Sequence, residues 1–391
     1  MLKTTALKLI RLPGEDVTYP EQKDPSIIEK HPDDVTAPYR FIKYTSSGRS
    51  DTQAWKVARF GANDLEGQWQ ELQSPTLKGL SGPQLCAPAL AYEFENGKPH
   101  HIMYIQTACF EPNGVIMEAH SEDGKHFVGK QAPLITRDSI TKPKCPLLGV
   151  YDPSYSQVKV NGRMHDCLTF TGITKMELAW PHKTEGDIYM SLRERAVPNA
   201  QWSDPRLVLD MSKIPFHNQP NRTDHEYEWC PEGTQIVGID EKHFLMIGVC
   251  FMQKPSGCDG ERQRVFFAAS RSVDSPFIPM GMPFEPQAAK GETGHPDTVF
   301  DHQNQVLHVF LQEREGNFKP WTLRQSKIDI SFLRSVMDDC LNHNEQQGRA
   351  AGVLETGGYN LGTGRELAGL ADLAAVTAGF GLETRDAGRS L

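Results

Sequence analysis

The sequence predicts an all-β fold, a five-bladed β-propeller with a short helical C-terminal tail, and three observations carry that prediction. Short apolar runs bounded by Gly, Pro, Asn and Asp recur along the chain, the signature of strands and tight turns. Motif starts at Asp24, Ala87, Asp152, Glu232 and Asp297 lie 63, 65, 80 and 65 residues apart. Each interval holds room for four strands, so a sheet-sized module repeats around a ring.

The elements follow in order. The first blade takes residues 23–29, whose Asp24-Pro25 start suits a strand edge because proline donates nothing to a ladder. Residues 39–45, 55–60 and 69–72 complete it. The second takes 87–92, a turn at Asn96-Gly97, 101–106, and a hairpin at Asp123-Gly124 within 115–127. The third takes 151–155, 167–171, 187–191 and an outer strand after Trp202. The fourth centres on Pro231-Glu232-Gly233 and on residues 244–251, too apolar to face water, followed by 264–270. The fifth takes 294–300, 306–311 and 321–324, and residues 5–11 alternate well enough to supply its missing strand and close the ring. The longer third step holds an insertion between Pro198 and Arg222, expected as a loop on the motif face. Trp55, Trp69, Trp202 and Trp321 fall on outer strands and are expected between blades.

The propeller therefore spans residues 1–328, and 329–391 form a helical, glycine-rich extension. Residues 330–341 read as a helix, and Thr363-Gly-Arg-Glu366 is a capping box opening an apolar helix through Leu367, Leu370, Leu373 and Val376. Such an apolar face either packs on the propeller or pairs two copies as a homodimer.

A net charge of −9 supplies no basic footprint for nucleic acid and no polybasic surface for anionic membranes. The N-terminus lacks the apolar core of a secretory signal, and no run reaches membrane-spanning length, so a cytoplasmic protein is expected. The 8 cysteines follow no C-x-x-C spacing and read as reduced side chains.

Innermost strands of a propeller line one channel, so residues at equivalent repeat positions meet at one funnel. Asp24, Asp152, Glu232, His295 and Asp297 are thereby expected to share a pocket. Carboxylates crowded together push their pKa values apart, leaving one ionised and another protonated, as glycoside hydrolysis requires. Trp180, His225 and Trp229 lie in or beside loops on the same face and are candidates for stacking on or bonding to a sugar.

Asp24-Pro-Ser-Ile-Ile, Tyr151-Asp152-Pro-Ser, Glu232-Gly followed by Ile236-Val237, and Gly294-His295 followed by Asp301 resemble the motif series of glycoside hydrolase family 43. The order and the spacings of 128, 80 and 63 residues agree, and the resemblance covers roughly residues 20 to 325. It implies that Asp24 is the general base, Asp152 raises the pKa of the acid, and Glu232 is the general acid of an inverting hydrolysis. It also implies that His295 holds a calcium or other cation in the central channel. The expected substrates are small pentose-containing oligosaccharides or glycosides, arabinofuranosides or xylosides. The sequence departs from the pattern at Cys86-Ala87-Pro88, where the second blade offers no acid, and at Trp229, where the fructosyl-transferring branch of the clan has its acid before Cys-Pro. A glycan- or partner-binding propeller without turnover, and a same-clan enzyme acting by transfer or phosphorolysis, are the alternative readings.

Overall fold

The computed structural model describes residues 8–9, 21–48, 56–80, 85–107, 112–141, 143, 145–177, 183–197, 199–209, 231–252, 262–284, 291–315 and 320–351. They form five antiparallel-cored sheets, one α-helix and a single 3-10 turn at Arg137–Ser139. Blade one is Glu21–Glu29, Phe41–Gly48, Lys56–Ala62 and Gln70–Leu72. Blade three is Gly149–Val160, Arg163–Glu177, Lys183–Glu194 and Arg206–Leu209, and blade four is Pro231–Asp240, His243–Met252, Arg262–Ser270 and Ile278–Gly281. Blade two runs Cys86–Glu95, Lys98–Gln106, Ile116–Ser121 and His126–Gly129, and gains an unforeseen outer strand, Thr76–Lys78, paired parallel to the last of these.

Blade five has three strands of its own, Glu292–Asp301, Val306–Arg314 and Thr322–Asp329. Its fourth is Lys8–Leu9, antiparallel to Arg324 and Gln325, so the N-terminal segment closes the ring as its alternation predicts.

Each blade lies between two others, which explains why its strands read as continuous apolar runs. In His243–Met252, Phe244, Met246 and Cys250 pack with Val158, Ile188 and Met190 of blade three. Leu245, Ile247 and Val249 point the other way, against Leu307, Val309 and Leu311 of blade five. Trp69 is fully buried and meets Phe310 edge-on, joining blades one and five. Trp321 is buried and Trp202 half-buried, while Trp55 lies outside the described residues.

The helix Ile330–Ala351 begins where the last strand ends, with the Asp329 carboxylate accepting the Phe332 N–H at 2.9 Å. Ile330, Leu333, Met337 and Leu341 recur at helical spacing and pack into the core shared by blades four and five. This first helix thus uses its apolar face on the propeller; residues 363–376 lie outside the described residues. Leu333 is fully buried, so Leu333→Ala is expected to cost about 2–5 kcal/mol in urea unfolding, the usual cost of emptying a well-packed leucine site. The described cysteines Cys86, Cys145, Cys167, Cys250 and Cys340 form no disulfides. No described helix is long and apolar enough to cross a membrane.

Candidate active site

Every innermost strand carries a bulge near its start. The register shifts between Lys23 and Ser26, Cys86 and Ala89, Tyr151 and Ser154, Glu232 and Gln235, and Gly294 and Asp297. At each bulge one residue adopts positive φ: Asp24 (51°), Ala87 (51°), Asp152 (48°), Gly233 (47°) and His295 (33°). These five are the equivalent positions of the repeat, and they correct the phase expected from the carboxylates. Glu232 sits one residue ahead of its blade's equivalent position, and Asp297 two residues behind. A bulge re-aims the side chain it carries, which is why the five strands can turn polar groups toward the axis.

Non-glycine residues in this backbone region are strained by about 1–3 kcal/mol and need support from their surroundings. For Asp24, Ala87 and Asp152 the second strand of the preceding blade supplies it. The Asp24 N–H donates to Gln312 Oε1 (2.9 Å), the Ala87 N–H to Ser46 Oγ (2.8 Å), and the Asp152 N–H to Gln106 Oε1. Gln106 and Gln312 were missed as site residues in the sequence. Their signal is a single amide side chain ending an otherwise apolar strand run.

The side chains gather around His295. Its Nδ1 lies 3.0 Å from Asp24 Oδ1 and its Nε2 lies 2.8 Å from Glu232 Oε2. Lys23 Nζ stands 3.7 Å from the other Asp24 oxygen. Glu232 is the most open member, its side chain 20% exposed against 4% for Asp24 and 6% for His295. Asp152 is buried within range of all three.

The electrostatics separate these groups. Burial alone would raise the pKa of Asp24, but the charges of Lys23 and His295, with hydrogen bonds from His295 and Ser46, outweigh it and hold the carboxyl well below the usual range. Burial, then the negative charge of Glu232, push Asp152 up to about 8 against the opposing charge of His295. Burial works against charge on His295, yet Asp24 and Glu232 together raise it well above its ordinary value.

Asp297 has a different setting. One oxygen accepts the Ile27 N–H of blade one (2.6 Å) and the other accepts Gln235 Nε2 of blade four (2.8 Å). Burial pushes its pKa up to about 7. It therefore ties three blades together where the axis narrows to a cavity of about 20 Å³, room for about one water. Ser26, Tyr155 and Asp297 line both this neck and a cavity of about 660 Å³ at the far ends of the innermost strands. His225, Trp229 and Trp180, expected to bind sugar, lie outside the described residues.

The donor set at the axis does not suit a cation held by His295. Nε2 is engaged by a hydrogen bond with Glu232 and Nδ1 has an Asp24 oxygen 3.0 Å away, so each ring nitrogen already has a carboxylate neighbour. Among the described residues, no group of three or more His, Cys, Asp and Glu side chains could hold a metal ion.

No family model matches the chain, and no curated protein sequence does. Solved structures share its fold. An endo-arabinase from Bacteroides thetaiotaomicron is 17% identical, with 83% of this chain and 98% of that one covered at a TM-score of 0.52. A thermostable family-43 glycoside hydrolase is 16% identical, with 80% and 90% covered at 0.51. An N-acetylgalactosamine deacetylase from F. plautii, solved with blood group B trisaccharide, is 14% identical, with 86% and 97% covered at 0.50.

Proposed function

We propose, for a propeller that shares its fold with family 43 glycoside hydrolases, that this chain is an inverting glycosidase acting on small arabinofuranosides or xylosides. One observation carries the reading: Asp24 and Glu232 from separate blades meet at one histidine with Asp152 buried within range, and burial and neighbouring charges drive Asp24 and Asp152 to opposite protonation states. Asp24 is held ionised, the form a base must have, and its role as the base is the one that the motif resemblance implies. Asp152 and Glu232 share the proton that the leaving oxygen needs, Asp152 storing it and the more exposed Glu232 delivering it.

Inversion is what the motif resemblance implies, and Asp24 and Glu232 stand at different nitrogens of one imidazole ring, 3.0 Å from Nδ1 and 2.8 Å from Nε2. An inverting pair needs about 6.5–9.5 Å to seat a water, whereas a retaining pair stands about 5–5.5 Å apart. The pentose assignment draws on the motif resemblance and on the arabinase and family-43 enzyme among the structural matches.

The test is a panel of nitrophenyl arabinofuranoside, xyloside, galactoside and fructoside, with the product anomer read by NMR and Asp24→Asn as control. Hydrolysis of a pentoside with inversion, lost in Asp24→Asn, is the expected result. Turnover that depends on added phosphate would assign phosphorolysis instead. No turnover of any glycoside, with glycan binding intact in Asp24→Asn, would assign a binding protein.

A further inference from the structure

We infer that His295 serves this centre as a doubly protonated bridge, its own positive charge standing at the propeller axis in place of a bound metal ion. A neutral imidazole has one N–H and one lone pair. Here both nitrogens lie at 3.0 Å or less from carboxylate oxygens, one from Asp24 and one from Glu232. A neutral ring would aim its lone pair at one of those oxygens, a repulsive contact in a site where little water can screen it. With a second N–H the ring bonds Glu232 through Nε2, and the 3.0 Å approach of Nδ1 to Asp24 becomes an attraction between opposite charges.

The ring's position is built into the backbone. A Cβ on Gly233 would stand 2.7 Å from His295 Nδ1, so the glycine at that bulge leaves the space the imidazole fills. Gly233 also has φ of 47°, a conformation glycine adopts without strain. Blade four thus donates both the room for the ring, through Gly233, and one of its two acceptors, through Glu232.

The groups facing the ring are Asp24, Glu232 and Asp152, with Lys23 behind Asp24. With His295 and Lys23 cationic, Asp24 and Glu232 ionised, and Asp152 protonated, the charges cancel without any added ion. The bridge also keeps both members of the acid–base pair aligned at a fixed separation. That catalytic meaning rests on the glycosidase reading, whereas the protonation state of the ring does not.

The experiment is ¹⁵N NMR of the full chain labelled at histidine, followed from pH 6 to 9. His295 is identified by its loss in His295→Gln, or, should that variant fail to fold, by the Nε2 signal that moves in Glu232→Gln. Expected are two protonated ring nitrogens across the whole range, and loss of one proton within it in Asp24→Asn. A ring that deprotonates near its ordinary value of about 6.5 would overturn the proposal. So would a melting temperature raised by calcium in the native chain but not in His295→Gln. On a substrate found by the panel, His295→Gln is expected to lower kcat about 100-fold with KM little changed, and a chelator to leave native activity intact. An imidazolium that persists in a chain hydrolysing nothing would uphold the bridge and sink the glycosidase reading. Brisk hydrolysis with a neutral ring would do the reverse.

Discussion

Replacing Glu232 by glutamine is expected to lower kcat on an alkyl or oligosaccharide pentoside by about 10²–10⁴-fold, the usual contribution of a positioned general acid. An amide matches the carboxylate in shape and still offers an oxygen to His295 Nε2, now 2.8 Å away, so the fold and the bridge should persist. What it lacks is a transferable proton. The loss should therefore depend on the leaving group. With a dinitrophenyl pentoside, whose phenolate departs without protonation, the defect should shrink to less than about 10-fold. Equal loss on both substrates would mean that Glu232 does not deliver the proton, and the role would pass to another group. The comparison needs only steady-state rates on two substrates, with circular dichroism to verify folding.

Asp152→Asn is expected to give opposite signs in stability and in rate. Burial and the charge of Glu232 move the Asp152 carboxyl from 3.8 to about 8, so between those pH values the folded chain keeps a proton that the unfolded chain releases. Stability contributed by this group therefore falls as pH rises from about 4 to about 8, and levels off above. Asparagine cannot ionise. The variant should match the native chain near pH 4 and exceed it at pH 8 by on the order of 2–4 kcal/mol, allowing for relaxation of neighbouring charges. Urea midpoints at several pH values give the answer. In the same variant the acid pair loses its proton store, so turnover should fall and the alkaline limb of kcat/KM should move to lower pH. Parallel stability curves for the two proteins would show that Asp152 is ionised in the folded state.

Much of the ring was readable because its physics is repetitive. Residues 244–251 are apolar on alternate and intervening positions alike, since a neighbouring blade covers each face. The same sandwiching explains Lys43, which alternation alone would place on a wet face. It is fully buried, its ammonium 4.7 Å from the centres of both the Phe60 and Trp69 rings, and burial lowers its pKa to about 7. The phase of blades four and five was less legible, because aligning acidic side chains hides a one-residue or two-residue offset that only backbone conformation reveals. A usable signal was nevertheless present: proline follows the bulge residue in Asp24-Pro25, Ala87-Pro88, Asp152-Pro153 and His295-Pro296. Read as the marker, that dipeptide selects His295 over Asp297 directly. Blade four lacks it, and there Gly233 does the same work. The parallel strand Thr76–Lys78 is three residues long, too short for any periodicity to announce it.

The clasp between Lys8–Leu9 and Arg324–Gln325 has a consequence for biogenesis. A growing chain commits one half of this joint and must wait for more than three hundred further residues before the other half emerges. Until then, the outer edge of the last sheet has no mate and the circle stays open, which makes slow maturation and a need for chaperone shielding the natural expectation. A bulky fusion placed immediately before the clasp should hinder this last step more than the same fusion at the opposite terminus.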